Sequence, residues 1–435
     1  MKIMKATFCL LLAFCIAAAL GGCSGSKSEM NKTQIQQFTT DGNSLKVAVI
    51  SDTQLPPTEK QLKESDVYVK NLETTLEFLK SNDVDMILFA GDIGDLGTRF
   101  AFQTYMDVFD KVYGDDKPIV QTIMGNHDYW NKSVFTAINH KKAFEEIIGH
   151  SPWTHYVVNG YHFIGASPDS GNMTKGYKKT AQWLDSELKK ASEDSDGKPI
   201  FVITHNQPKD TSYGSEDWGD TTLDAVLSKY PNVIDFSGHV HYSLLDERSI
   251  WQGDYTVINT QSLSYTEMEE GKENGTIPPN ADTTPMGYIM EINSDKIEIH
   301  RYNFASGKEE KSYMVWQFGM PYSNDKKYSF ESRKSVNKAP EMPKAEGSAK
   351  ISSGKVVFTF PAGNDDDFVH SYKIVDSQNN EKLFFSDFYN GIDNMAKTVT
   401  LTMEDSSAAP GSVYKIYAVD SWGEESENYI EITIK

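Results

Sequence analysis

Residues 46–54 read Lys46-Val47-Ala48-Val49-Ile50-Ser51-Asp52-Thr53-Gln54. A short apolar run, rich in Val and Ile and too brief for a buried helix, stops abruptly at polar residues, and such a run reads as a buried strand. Similar runs recur at 86–90, 119–124, 200–204 and 233–236. Segments with helical spacing lie between them, at 67–79, 100–112, 134–148, 181–191 and 223–230. This alternation predicts a layered α/β domain. A hairpin over 154–164, a strand at 255–259 and a pair at 288–292 and 297–302, joined across Asn293-Ser294-Asp295, are expected to complete the sheet.

Each run ends at residues able to carry chemistry, and the carboxyl edge of such a sheet is where ligands gather. In order the motifs are Asp52-Thr53-Gln54, Gly91-Asp92-Ile93-Gly94-Asp95, Gly125-Asn126-His127-Asp128, Thr204-His205 and Gly238-His239-Val240-His241. Their order, spacing and residue types resemble the calcineurin-like metallophosphoesterase superfamily over roughly residues 45–304. Gly-Asn-His-Asp and Gly-His-Val-His carry most of that specificity. The resemblance implies a β-sandwich core flanked by helices, hydrolysing phosphomonoesters or phosphodiesters by water activation between two metal ions, with no protein nucleophile.

Carboxylate, imidazole and amide oxygen suit divalent or trivalent manganese, iron, zinc or similar ions. Asp92 is the bridging candidate, because one carboxylate can bind two cations and offset their repulsion. By resemblance Asp52, Gln54 and His241 complete one metal site, and Asn126, His205 and His239 the other. His239 and His241, two apart, share one face if their segment is extended. His127 would sit over the cavity as general acid, with Asp95 as the partner that orients it. Tyr129 and Trp130 either wall the substrate or pack beneath the loop. The superfamily usually has histidine where this chain has Gln54, and an amide oxygen holds transition metals less firmly than imidazole. The alternative reading is therefore a lipoprotein that retains the pocket to capture phosphate-bearing ligands or surface polymers with little or no turnover. The remaining histidines, His140, His150, His155, His162, His300 and His370, read as structural.

The formal charge of the 435 residues is -20. Residues 1–22 hold Lys2 and Lys5 and no acid, so without them 42 − 2 = 40 basic against 62 acidic side chains give -22. Broad attraction to nucleic acid is excluded on that charge. An apolar run from Ala6 to Leu20 after two lysines reads as a signal peptide. Leu20-Gly21-Gly22-Cys23 resembles a bacterial lipobox, which implies cleavage before Cys23, a lipid on its sulfur and a protein anchored to the outer face of a bacterial membrane. Cys9 and Cys15 would leave with the signal, so no disulfide is expected.

The expected organisation is a signal over 1–22, a flexible tether over 23–43, a catalytic domain over 44–322, a linker over 323–347 and an all-β sandwich over 348–435. The last segment resembles a fibronectin type III-like module, notably at Tyr414-Lys415-Ile416-Tyr417-Ala418-Val419-Asp420-Ser421-Trp422-Gly423. Asp365-Asp366-Asp367 lacks the ligand spacing of a calcium loop and reads as a solvated turn.

Overall fold

A computed structural model describes residues 33–42, 44–131, 140–311 and 314–435. The expected signal, the lipobox cysteine and the start of the helix expected from 134 lie outside them. No helix among the described residues is long and apolar enough to cross a membrane.

Two seven-stranded sheets form the centre. In chain order the strands are β1 (Ile35–Phe38), β2 (Leu45–Ile50), β3 (Met86–Phe89), β4 (Ile119–Thr122), β5 (Trp153–Val158), β6 (Tyr161–Ala166), β7 (Ile200–Thr204), β8 (Val233–Ser237), β9 (Ile250–Gln252), β10 (Thr256–Asn259), β11 (Met286–Ile292), β12 (Lys296–Asn303), β13 (Lys308–Glu309) and β14 (Trp316–Gly319). One sheet runs β1-β5-β6-β7-β8-β10-β9, and the other β13-β12-β11-β2-β3-β4 with β14 also paired to β12. The pairs β2–β3, β3–β4, β6–β7, β7–β8 and β8–β10 are parallel.

Strand periodicity explains why the sheets stack. Val47 and Val49, Met86 and Leu88, Phe201 and Ile203, and Ile234 and Phe236 all enter one core between the sheets. The alternate residues of β2 and β3, Ala48, Ile50, Ile87 and Phe89, face a second core under α2 (Val67–Ser81), α3 (Arg99–Tyr113) and α4 (His140–Ile148), which follow the short α1 (Glu59–Glu64). Ile200 and Val202 face a third beneath α5 (Thr180–Asp194). Strands buried on both faces are continuous apolar runs for this reason.

A buried carboxylate in β8 breaks the rule. Asp235, between Ile234 and Phe236, is fully buried and takes hydrogen bonds at 3.0 Å from Thr204 Oγ1 and Ser237 Oγ. Burial pushes its carboxyl up to about 7, from 3.8, against those bonds. Between these values the folded chain holds a proton that the unfolded chain has lost, so folding stability falls as pH rises through this window and levels off above it. About three pH units at 1.36 kcal/mol each set an upper bound of about 4 kcal/mol. Denaturant melts of the wild type and Asp235→Asn from pH 4 to pH 8 should show the wild type losing ground to the variant with rising pH; parallel curves would contradict this.

The C-terminal region is antiparallel β throughout: β15 (Ser348–Ser352), β16 (Lys355–Pro361), β17 (Ser371–Asp376), β18 (Glu381–Phe385), β19 (Thr398–Glu404), β20 (Val413–Val419) and β21 (Ile430–Thr433). They form a three-stranded sheet, β15-β16-β19, and a four-stranded one, β18-β17-β20-β21, over their own core.

Two boundary expectations need correction. Residues 35–38 of the expected tether form β1, which pairs in parallel with β5 from Ile35↔His155 to Phe38↔Val158. The expected linker is also seated: a helical turn, Phe330–Lys334, puts Phe330 5.5 Å and Arg333 5.2 Å from the Trp422 ring. Residues 223–230, expected as a helix, hold one helical turn, Asp224–Leu227.

Candidate metal centre

Loops at the carboxyl ends of β2, β3, β7 and β8 converge at one place. Asp52, Asp92 and His205 each offer a ligand atom within 4.8 Å of the others, and all three are buried. His205 Nε2 lies 3.3 Å from Asp92 Oδ2 and 2.8 Å from Asn126 Oδ1. Gln54 Nε2 donates to Asp92 Oδ2 at 3.0 Å, and His241 Nε2 lies 3.2 Å from Asp52 Oδ1. The backbone N–H of His239 donates to Asp52 at 3.1 Å, and its ring is 5.1 Å from that of His205. All seven candidate ligands are therefore together.

The backbone that holds them is strained. Asp52, Gln54, Asp92, His239 and His241 all have positive φ, from 46° to 74°, a region that costs a residue with a side chain about 1–3 kcal/mol. The expectation that His239 and His241 share a face of an extended segment is thereby corrected: both sit in a left-handed turn. Close approach is also built in. A Cβ on Gly238 would lie 2.2 Å from Asp52 Oδ2, and one on Gly125 would lie 2.1 Å from Asp92 Oδ1.

Tautomers are set from behind. His205 Nδ1 donates to the Ala90 carbonyl at 2.8 Å and His241 Nδ1 to the Tyr265 carbonyl at 3.1 Å, so each presents Nε2 to the carboxylates. Burial presses Asp92 upward, yet the attraction of His205 and then His127 holds its carboxyl well below the usual carboxylate range. Burial presses His205 down, and Asp92 lifts it to about 9. His239 is driven well below the imidazole range by burial and then by the charge of His205, which keeps its ring neutral.

Sequence reasoning passed over Asp128. It is fully buried and takes N–H bonds from Gly125 (2.8 Å), Gly94 (3.1 Å) and Ile93 (3.2 Å), tying two of the motif loops together. Burial, followed by the charge of Asp92, pushes its carboxyl up to about 7. Asp95 acts differently from expectation. His127 Nδ1 donates to its backbone carbonyl at 3.0 Å while the carboxylate stands 3.8 Å off, so the Asp95-Leu96 peptide rather than the side chain faces the imidazole.

Trp130 lies 4.0 Å from the His127 ring and donates to the Gly171 carbonyl, whereas Tyr129 reaches beneath to the Pro168 carbonyl. The loop from 209 to 220 packs against the residue after His241 through buried Tyr213, 4.6 Å from the Tyr242 ring. The six other histidines are outside the cluster. His155, for example, bonds Glu187 and His162, both at 2.9 Å, and His300 bonds Glu309. Asp365, Asp366 and Asp367 also bring carboxylates within 4.8 Å of one another, on a partly exposed turn.

The donor set can be tested for metal without reference to relatives. Gln54 Oε1, Asn126 Nδ2 and His239 Nε2 are buried and have no hydrogen-bond partner. Three orphaned polar atoms, each costing about 1–3 kcal/mol if left so, surround two buried carboxylates. Of these, Gln54 Oε1 and His239 Nε2 can offer lone pairs and, with the two carboxylates, fit a cation, whereas Asn126 would ligate through the Oδ1 that now faces His205 Nε2 at 2.8 Å.

No curated protein matches the chain. Among solved structures it is similar in fold to a dimetal phosphatase from Danio rerio (12% identity, TM-score 0.42, 64% of this chain and 99% of that one). It is likewise similar to the purple acid phosphatase PPD1 of yellow lupin, Lupinus luteus (12%, 0.45, 64% and 54%), and to the inner-membrane-complex anchor GAP50 of Plasmodium (15%, 0.43, 65% and 90%). Residues 45–243, which hold all seven converging side chains, match the family described as calcineurin-like phosphoesterase.

Proposed function

We propose that the chain hydrolyses phosphate esters with two metal ions, one held by Asp52, Gln54 and His241, the other by Asn126, His205 and His239, and both by Asp92. The observation that carries this reading is the pair of orphaned acceptors, Gln54 Oε1 and His239 Nε2, beside two buried carboxylates. When bound, the ions would supply Lewis-acid charge for the phosphoryl oxygens and for an attacking water.

The chain's own part is orientation and proton transfer. With Nδ1–H committed to the Asp95 carbonyl, His127 has only Nε2, 4.0 Å from Asp92 Oδ2, to exchange a proton with substrate. Trp130 packs on that ring and holds its plane. This suits a general acid that protonates the departing oxygen. We further infer export and lipid anchoring through Cys23, on the motif that ends at that residue, and a fibronectin type III-like role for residues 348–435 as a spacer or binding appendage.

His127→Ala should keep its metals and lose about 10²–10⁴-fold in turnover of an alkyl phosphate, whose poor leaving group needs the proton. A nitrophenyl ester, which leaves without help, should lose far less. Equal losses on both substrates would remove His127 as the acid. If fully metal-loaded protein cleaves no monoester or diester at any pH, the hydrolase reading fails and the capture of phosphate-bearing ligands replaces it.

A further inference from the structure

Beside the metal cluster, two clefts of about 370 and 300 Å³ share Tyr68 and Asp282 and so form one groove. Its near end is lined by Gln54 and Asp95, and its far end by Tyr265 and Ile277. The groove thus begins at a candidate metal ligand and leads away past two tyrosines, whose rings lie 6.4 Å apart and tilted by 33°. Tyr265 also packs 4.4 Å from the ring of His241, so this wall is continuous with the cluster. Ile277 is 58% exposed, a large apolar side chain left uncovered at the outer end.

The charge of the groove is one-sided. Among the described residues that line it none is Lys or Arg, whereas Glu64, Asp95 and Asp282 contribute carboxylates. Glu64, at the rim, lies 3.8 Å from Lys60, but Asp95 and Asp282 have no Lys or Arg within ion-pair distance among the described residues. Burial raises the Tyr68 hydroxyl, and Asp282 and then Asp95 raise it further, which puts both carboxylates within electrostatic reach of that ring. Such a groove repels a second phosphate or a carboxylate on the substrate, while the metal cluster attracts the phosphoryl group. Tyrosine faces beside a carboxylate such as Asp282, which has no ion-pair partner among the described residues, are the chemistry that receives an organic cation.

The walls are fixed. Asn71 Nδ2 donates to the carbonyls of Leu263 and Asp282 at 2.9 and 3.0 Å, which clamps both ends of the Tyr265–Asp282 loop to α2. From the other side, Glu273 N–H donates to Leu383 O at 2.8 Å and Tyr389 Oη to Pro279 O at 3.2 Å.

We propose that this groove receives the alcohol side of the ester and selects a leaving group that carries an ammonium on a short alkyl chain. The proposal rests on the phosphoesterase reading above. In the reaction the P–O bond to the amino alcohol breaks, the oxygen of water takes its place on phosphorus, and the departing oxygen leaves as a hydroxyl with the proton given by His127. The Asp95 carboxylate, unused in orienting His127, thereby acquires a role at the mouth of the groove.

The test uses the metal-loaded full chain and two esters of one shape, choline phosphate and 3,3-dimethylbutyl phosphate, each also as its methyl diester, with release of the alcohol as the readout. The charged ester should be preferred by about ten-fold or more in kcat/KM, and Asp282→Asn should bring the ratio towards one. Equal turnover of the charged and neutral esters, or a ratio that Asp282→Asn leaves in place, overturns the inference about the groove and leaves the hydrolase standing. Release of alcohol from none of the four overturns both.

Discussion

Replacing Asp92 by Asn should empty the metal centre and lower turnover by about 10³-fold, equivalent to about 4 kcal/mol of transition-state stabilisation. Asp92 is buried, and its two oxygens already answer three groups: Oδ1 takes the N–H of His127 at 2.9 Å, and Oδ2 faces Gln54 Nε2 at 3.0 Å and His205 Nε2 at 3.3 Å. An amide of the same shape keeps the contact with His127 but removes the charge that two neighbouring cations would share. Elemental analysis of the purified variant should find fewer than two ions per chain. Thermal melts give an independent readout. A ligand that binds only the folded chain stabilises it by about 4 kcal/mol at a thousand-fold excess over Kd, so added metal should raise the Tm of the wild type and leave Asp92→Asn in place. A variant that retained two ions and full turnover would show that Asp92 is not the bridge.

Much of the fold was legible because β2, β3, β7 and β8 are covered on both faces and are therefore largely apolar, as in Ile200-Phe201-Val202-Ile203, Asp235 in β8 being the buried exception. Where one face is open the signal fades. β1, Ile35-Gln36-Gln37-Phe38, is an edge strand with three exposed residues, and nothing in its composition separates it from a polar tether. β18, Glu381–Phe385, is the outer strand of its sheet and was hidden in the same way. The turn at Phe330–Lys334 took its structure from Trp422, some ninety residues on, a contact that no local pattern announces.

At the site, the motifs gave identities but not backbone. That His239 and His241 belong together was readable from Gly-His-Val-His; that they meet through positive φ was not, since only the tertiary position of Gly238 against Asp52 requires the turn. Asp128 had a readable signal in the last residue of Gly-Asn-His-Asp, a carboxylate three residues after a glycine whose N–H it accepts. Tyr265 had none. Its place beside His241 follows from the clamp by Asn71, nearly two hundred residues away in the chain.

Deletion of residues 341–435 should leave a chain that is poorly soluble or melts more than about 10 °C lower, because the C-terminal region shares the central core as well as having its own. Phe368, Phe385, Phe388 and Tyr389 belong to the same buried cluster as Met290, Ile299 and Trp316 on β11, β12 and β14 of one large sheet, and each of the four is at most 4% exposed. At about 1.5–3 kcal/mol for each aromatic side chain, their loss removes about 6–12 kcal/mol, comparable with the whole stability of an ordinary domain. Polar contacts go with them: His370 Nε2 lies 3.5 Å from Asp246 and 3.6 Å from Glu269, and Glu310 accepts the N–H of Ile392 at 3.1 Å. The groove loop would lose its bonds to Leu383 and Tyr389 at the same time. A milder variant separates folding from function. Tyr389→Phe keeps the aromatic bulk and removes only the bond to Pro279, so it should fold, retain its metals and raise KM more than it lowers kcat. A truncated chain with wild-type Tm, solubility and KM would show instead that residues 341–435 are an independent appendage.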